Sequence, residues 1–222
     1  MKKEHYRSHL PHFHTPGQQF FVTWCLKNAV PSKAFEKYSM ELEHLKAKIY
    51  SHKSRKTSDE SIANMKKEYQ SVKRKCSNAF NKLLDLQQKP DIDISGIRSI
   101  NIISESVKYW EGKKITNIAF SIMPNHMHWV LETFEKDFEG KPVFLQDILK
   151  SVKQFSAKEI NKTKNLSGNL WHRESFDVTV RGSIHLSKVI SYTLNNPVKA
   201  GFVNHWTHWP GNWCNEDYLD CF

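Results

Sequence analysis

Two histidines one residue apart, His126 and His128, stand inside the apolar run PNHMHWV (124–130). Successive side chains of an extended strand point to opposite faces, so both imidazoles would share one face. Side by side they can hold a divalent metal; as two satisfied ring groups at a sheet surface they would hold nothing. Metal-ligating histidines need further groups to complete the shell and orient the rings. No third alternating histidine follows, since position 130 is Val. Farther on, ISYTLNNPVKAG (190–201) sets Tyr192 and Asn196 four residues apart. On a helix that is about 40° around the axis, the same side. A phenol is a poor nucleophile near its ordinary pKa of about 10. Beside a divalent cation that polarises a phosphodiester, it can attack phosphorus. Asn196 offers an amide oxygen, a hard ligand suited to Mg²⁺ or Mn²⁺. The structural alternative packs Tyr192 at the core rim beside Val189 and uses Asn196 to cap the helix.

The elements that would position these residues are legible from periodicity. FFVTWCL (20–26) is β-branched and aromatic and predicts a buried strand. HLPHFHTPGQQ (9–19) before it, with two prolines and a glycine, predicts an irregular arm. For its histidines and their neighbour, His5, His9, His12 and His14, the irregular spacing through two prolines favours an unstructured or DNA-facing arm over a metal site. ITNIAFSIM and HMHWVLETF flank Pro124-Asn125 and predict a hairpin. Three helices carry apolar stripes. The first has Ile97, Ile100, Ile103, Val107 and Trp110 with Ser95 as N-cap. The second has Leu145, Ile148, Leu149, Val152, Phe155 and Ile160 inward, with Lys150, Lys153 and Lys158 outward. The third is IHLSKVISYTLNN, capped by Ser183 and ending near Pro197.

Residues 33–89 have a different character: no glycine, a single proline only just beyond, and dense Lys, Glu and Ser. Leu42, Leu45 and Ile49, then Ile62, Met65, Tyr69, Val72, Cys76, Phe80, Leu83 and Leu84, recur at helical steps. Two amphipathic helices joined near SRKTSDES are expected, an inserted basic hairpin that is either a solvated face or a grip on nucleic acid or protein. The order strand, helix, strand, strand, helix, strand, helix predicts an α+β fold over 1–222. Its expected core is a ferredoxin-like antiparallel sheet with helices on one face, interrupted by the hairpin.

Composition narrows the partners. The 222 residues hold 33 Lys+Arg against 23 Asp+Glu, a formal charge of +10, with a pI near 9.4. That balance favours a polyanion, nucleic acid before membrane, because no run approaches the ~20 apolar residues of a spanning helix. The N-terminal stretch MKKEHYRSHL has no apolar segment behind it, and no CxxC pair joins Cys25, Cys76, Cys214 and Cys221. The expectation is a soluble protein of a reducing cytoplasm, without a zinc ribbon or disulfide framework.

The chemical motifs together resemble one family. IAFSIMPNHMHWVLE resembles the HUH motif (His, bulky hydrophobe, His) of single-tyrosine transposases. LWHRESFDVTVRGSIHLSKVISYTLNNPVKAGFV resembles the C-terminal signature of their REP-associated branch: Trp171 and Arg173, then Tyr192, then Asn196 through Gly201. The tail WTHWPGNW and the first strand also resemble it, so the likeness spans roughly 10–30 and 90–213. It implies a metal, Mg²⁺ or Mn²⁺, held by His126 and His128, with Tyr192 as the nucleophile and Asn196 as a third ligand. It also implies cleavage of single-stranded DNA beside hairpin-forming palindromic repeats, leaving a 5′-phosphotyrosine and a free 3′-hydroxyl. A cytoplasmic, nucleoid-associated protein, monomer or homodimer, would follow. The basic hairpin at 33–89 departs from the family pattern.

Around that centre, Arg173, Arg181, Lys150, Lys153, Lys158 and Lys199 are candidate phosphate contacts, and Trp171 a candidate for base stacking. Two other function classes compete. One is a non-catalytic nucleic-acid-binding module on the same scaffold; the other is a metal phosphodiesterase that uses water and leaves Tyr192 structural.

Overall fold

The computed structural model describes residues 5–7, 11–13, 15–30, 36–54, 59–86 and 90–222. Two short strands come first: β1 (His5–Arg7) pairs antiparallel with β2 (Pro11–Phe13). An irregular arm was expected over 9–19. Pro11 instead starts a strand, the position where its missing N–H is tolerated. His5 and His12 sit in this ladder, and His9 and His14 lie outside the described residues.

The main sheet holds β3 (Gln19–Cys25), β4 (Ile115–Ile122), β5 (His126–Thr133), β6 (Phe176–Thr179) and β7 (Asn212–Cys214). Their order is β6-β3-β5-β4-β7, and every neighbouring pair is antiparallel. The first four strands follow the ferredoxin-like order that the sequence predicts. β7 is an addition, formed by the C-terminal tail, where Asn212–Cys214 pairs with β4.

Between β3 and β4 lies the inserted hairpin, α1 (Glu36–Ser54) and α2 (Asp59–Leu86), whose turn at 55–58 is outside the described residues. Its stripe of Leu42, Leu45, Tyr69, Val72, Cys76, Phe80 and Leu84 joins the main core. Three helices follow: α3 (Ile97–Lys108), α4 (Leu145–Lys164) and α5 (Ser183–Lys199).

Strand alternation divides the interior into two cores. Phe20, Val22, Trp24, Phe120, Met127, Trp129 and Leu131 face α3 and α4, which contribute Ile103, Val107, Ile148 and Val152. Phe21, Ile118, Ala119 and Val130 face α5, which contributes Ile190 and Leu194. The helices therefore do not share one face as expected; α5 covers the other. The extra helix beyond the ferredoxin-like unit brings Ile190 and Leu194 onto that second face. A register shift between Asn117 and Ala119 lets both Ile118 and Ala119 point to α5.

Several local expectations change. The α3 cap is Gly96, because Ser95 turns its hydroxyl to Asp93 Oδ1 at 2.6 Å. The α5 cap is Gly182, with φ of 74° in a region open to glycine, so Ser183 is the first helical residue. The same helix runs through Pro197 to Lys199. A proline there removes one donor in the last turn, and Asn212 Nδ2 donates to the Leu194 carbonyl at 2.9 Å. On α4, Phe155 is 47% exposed rather than inward, and Ser156 is buried in its place.

Candidate active site

β5 alternates as its sequence requires, so His126 and His128 project together into the space under α5. They are 1% and 0% exposed, and their Nε2 atoms lie 3.1 Å apart. Each ring is held from behind. His126 Nδ1 is 2.6 Å from Asn125 Oδ1, while Asn125 Nδ2 donates to the Leu84 carbonyl of α2 at 3.1 Å. Because the amide's N–H side is committed to Leu84, its oxygen faces the ring, and His126 is protonated on Nδ1. His128 Nδ1 is 2.8 Å from Thr23 Oγ1, its cross-strand partner in β3. Asn196 Nδ2, from α5, lies 3.1 Å from His128 Nε2. That amide donates to Nε2, so His128 too carries its proton on Nδ1 and donates to Thr23.

Two Nε2 lone pairs consequently converge. Ligands each about 2.1 Å from one metal at a right angle lie about 3.0 Å apart, so the observed spacing suits neighbouring positions of a coordination shell. Burial, then the neighbouring His126 and Lys199, hold His128 well below its ordinary value of 6.5, which keeps it neutral and able to ligate. No group of three His, Cys, Asp or Glu side chains suited to a metal occurs among the described residues. Two imidazoles and, with its amide turned over, the Asn196 oxygen could serve as donors there. Such a set leaves positions open for substrate oxygens, as a catalytic metal requires and a structural one does not.

Tyr192 lies one helical turn before Asn196. Its ring is 5.2 Å from that of His128 and edge-on to Phe21 at 5.8 Å. Phe21 also stacks on His128 at 5.5 Å, so one aromatic side chain seats both groups. Lys199 is exposed, with Nζ 6.0 Å from the centre of the tyrosine ring. Tyr192 is half-buried and borders a cleft of about 640 Å³ shared with Arg181.

The other predicted contacts separate. α4 packs on the opposite face of the sheet, which carries Lys150 and Lys158, both exposed, away from Tyr192. Lys153 was expected outward. It turns in and donates to the carbonyls of His172 at 2.7 Å and Arg173 at 3.2 Å, and to Ser175 Oγ at 3.3 Å. Desolvation lowers its ammonium to about 8. Trp171, a candidate for base stacking or for packing, packs: it is 6% exposed, edge-on to Trp24, and donates to Ser156 Oγ at 3.0 Å. Arg173 is exposed and lines a second cleft with Lys27, apart from Tyr192. Of the predicted set, His126, His128, Tyr192, Asn196, Lys199 and Arg181 come together. Asn125 and Thr23 were missed. Thr23 was accessible from alternation in FFVTWC, which puts it on the same face as Phe21; Asn125 needed its tertiary partner, Leu84.

No family model matches the chain. A curated relative from Haemophilus influenzae (strain ATCC 51907 / DSM 11121 / KW20 / Rd), named "Putative REP-associated tyrosine transposase", is 27% identical over 100 residues. The match takes in 42% of this chain and 55% of the relative, so the chain spans about half the length of the curated relative it matches. A solved structure described as "Structure of the REP associates tyrosine transposase bound to a REP hairpin" aligns at 16% identity and a TM-score of 0.44. The alignment covers 93% of this chain and 80% of that one. No described helix is long and apolar enough to cross a membrane. In sequence, the chain's likeness is to the REP-associated tyrosine transposases, the family its His-x-His and tyrosine-helix motifs resemble.

Proposed function

We propose that this chain is a metal-dependent single-stranded DNA endonuclease and strand transferase, acting at hairpin-forming repeats through a 5′-phosphotyrosine. The observation that carries this is the meeting of Tyr192 with His128, ring to ring at 5.2 Å, while Asn196 of the same helix reaches His128 at 3.1 Å. Nucleophile and ligand set share one small volume. His126, His128 and the Asn196 amide would hold a divalent cation, which when bound polarises the scissile phosphate. Asn125 and Thr23 hold the two rings from behind, leaving their Nε2 atoms turned toward one another.

Tyr192 Oη attacks phosphorus, forming the tyrosyl O–P bond as the bond from phosphorus to the 3′-oxygen breaks. The phenolic proton is balanced by the one that the 3′-oxygen takes up to become a hydroxyl. One phosphodiester replaces another, so the joining reaction needs no outside energy source. The exposed ammonium of Lys199, beside the tyrosine ring, favours phenolate and phosphate charge at this spot. The family likeness supports the hairpin-bearing substrate.

The test uses full-length protein with single-stranded hairpin oligonucleotides labelled at the 3′ end, with Mn²⁺ or Mg²⁺ and with chelator. A denaturation-resistant labelled band requiring both the metal and Tyr192 is expected, and Tyr192→Phe should abolish it. Cleavage that survives Tyr192→Phe without an adduct would replace transesterification by hydrolysis. Binding with no cleavage under any metal would leave a binding module.

A further inference from the structure

The inserted hairpin is docked beside the candidate active site rather than held away from it. Phe80 of α2 packs on Phe176 of β6 with ring centres 4.0 Å apart. Six positions beyond that pair lies the end of α2, tied through Leu84 and Asn125 to His126. The cleft of about 640 Å³ that Tyr192 borders is lined from one side by Arg74, Asn78 and Asn81 of α2, and from the other by Arg181 and His185. Positions 74, 78 and 81 are four and three residues apart, so they share one helix face. No carboxylate lines the cleft. Asn81 Oδ1 is shut off from solvent and has no hydrogen-bond partner among the described residues.

Two guanidiniums on opposite walls without a counter-carboxylate suit a chain of phosphates. Amides beside them suit the donor and acceptor edges of unpaired bases. Phe21, Val178 and Val189 supply apolar lining. We propose that α2 of the insertion forms one wall of the substrate channel. The single strand of DNA that reaches Tyr192 passes between α2 and α5, with Arg74 and Arg181 on its phosphates and Asn78 against its bases. This placement rests on the strand-cleaving role proposed for Tyr192 and names the path of its substrate.

The experiment is a titration of a labelled single-stranded oligonucleotide, read by fluorescence anisotropy over a range of salt. It compares the full chain with Arg74→Ala, Arg74→Lys and Lys75→Ala. Arg74 and Lys75 are both exposed neighbours on α2, and only Arg74 lines the cleft. Arg74→Ala is expected to weaken binding about tenfold, with a salt slope shallower by about 0.7. Lys75→Ala should bind as the parent does, and Arg74→Lys should recover part of the loss. Equal effects at 74 and 75, or none at 74, overturn the channel wall. Adduct formation is followed on the same samples. An adduct in the parent together with undiminished binding by Arg74→Ala removes the wall and keeps the tyrosine chemistry. An Arg74-specific loss without any adduct keeps the wall and removes that chemistry. A parent that binds no single strand overturns both.

Discussion

The carbonyl of Leu84 accepts a hydrogen bond from Nδ2 of Asn125, a residue 41 positions further along the chain. Through the same amide, whose oxygen meets His126 Nδ1 at 2.6 Å, the end of the inserted hairpin is wired to the pair of histidines. Asn125→Ala is expected to lower divalent-metal affinity about 10- to 100-fold, the range typical of lost partners behind a ligating histidine. Calorimetric titration with Mn²⁺ measures it. Unchanged affinity would mean that His126 needs no such support.

The depressed basicity of His128 makes the fold acid-sensitive. Its folded pKa lies below 6.5 while the unfolded chain's stays near that value, so unfolding takes up a proton in the interval between them. Stability contributed by the neutral ring is fully present above 6.5 and is lost as pH falls below it. Urea midpoints from pH 7.5 to 5 should drop for the parent, and His128→Gln should flatten that part of the slope.

Lys153 gives the opposite limb. Its folded value of about 8 lies below the ordinary 10.5, so its desolvated charge opposes folding below pH 8. That cost fades between 8 and 10.5 as the folded chain sheds the proton first. The stability of the parent relative to Lys153→Met should therefore rise over this interval. A constant difference across it would contradict the shift.

Gly211 permits the added strand. A Cβ there would come 2.4 Å from the Ile122 carbonyl and 2.8 Å from Trp209 Nε1, while the Gly211 carbonyl accepts from Ile122 N at 2.9 Å. Gly211→Ala is expected to destabilise by about 1–3 kcal/mol, the scale of overpacking, through displacement of β7. Thermal or denaturant unfolding reads the cost directly.

Much of this architecture was legible because period and burial coincide. FFVTWC, the hairpin flanking Pro124-Asn125 and the stripes of the inserted helices each bury the residues that alternation marks. His126, His128, Tyr192 and Asn196 converge as strand and helix geometry require. What escaped was set by contacts between distant segments. β7 is three residues long and exists only because β4 offers it an edge. Lys153 looks like an exterior lysine until the loop 172–175 supplies carbonyls to it. Phe155 faces out where an inward stripe was expected, and the buried Ser156 beside it accepts the indole N–H of Trp171.

The two cores are unequal. The tyrosine helix is fastened to the sheet by the smaller one, where Ile190 and Leu194 meet four strand residues, whereas the other face anchors four helices. The α5 side also packs the partly buried Leu186, Val189 and Tyr192 against that core, but it remains the smaller of the two. Because Asn196 is itself on α5, the same helix carries both Tyr192 and the amide that meets His128, so any loosening of the smaller core displaces the two together.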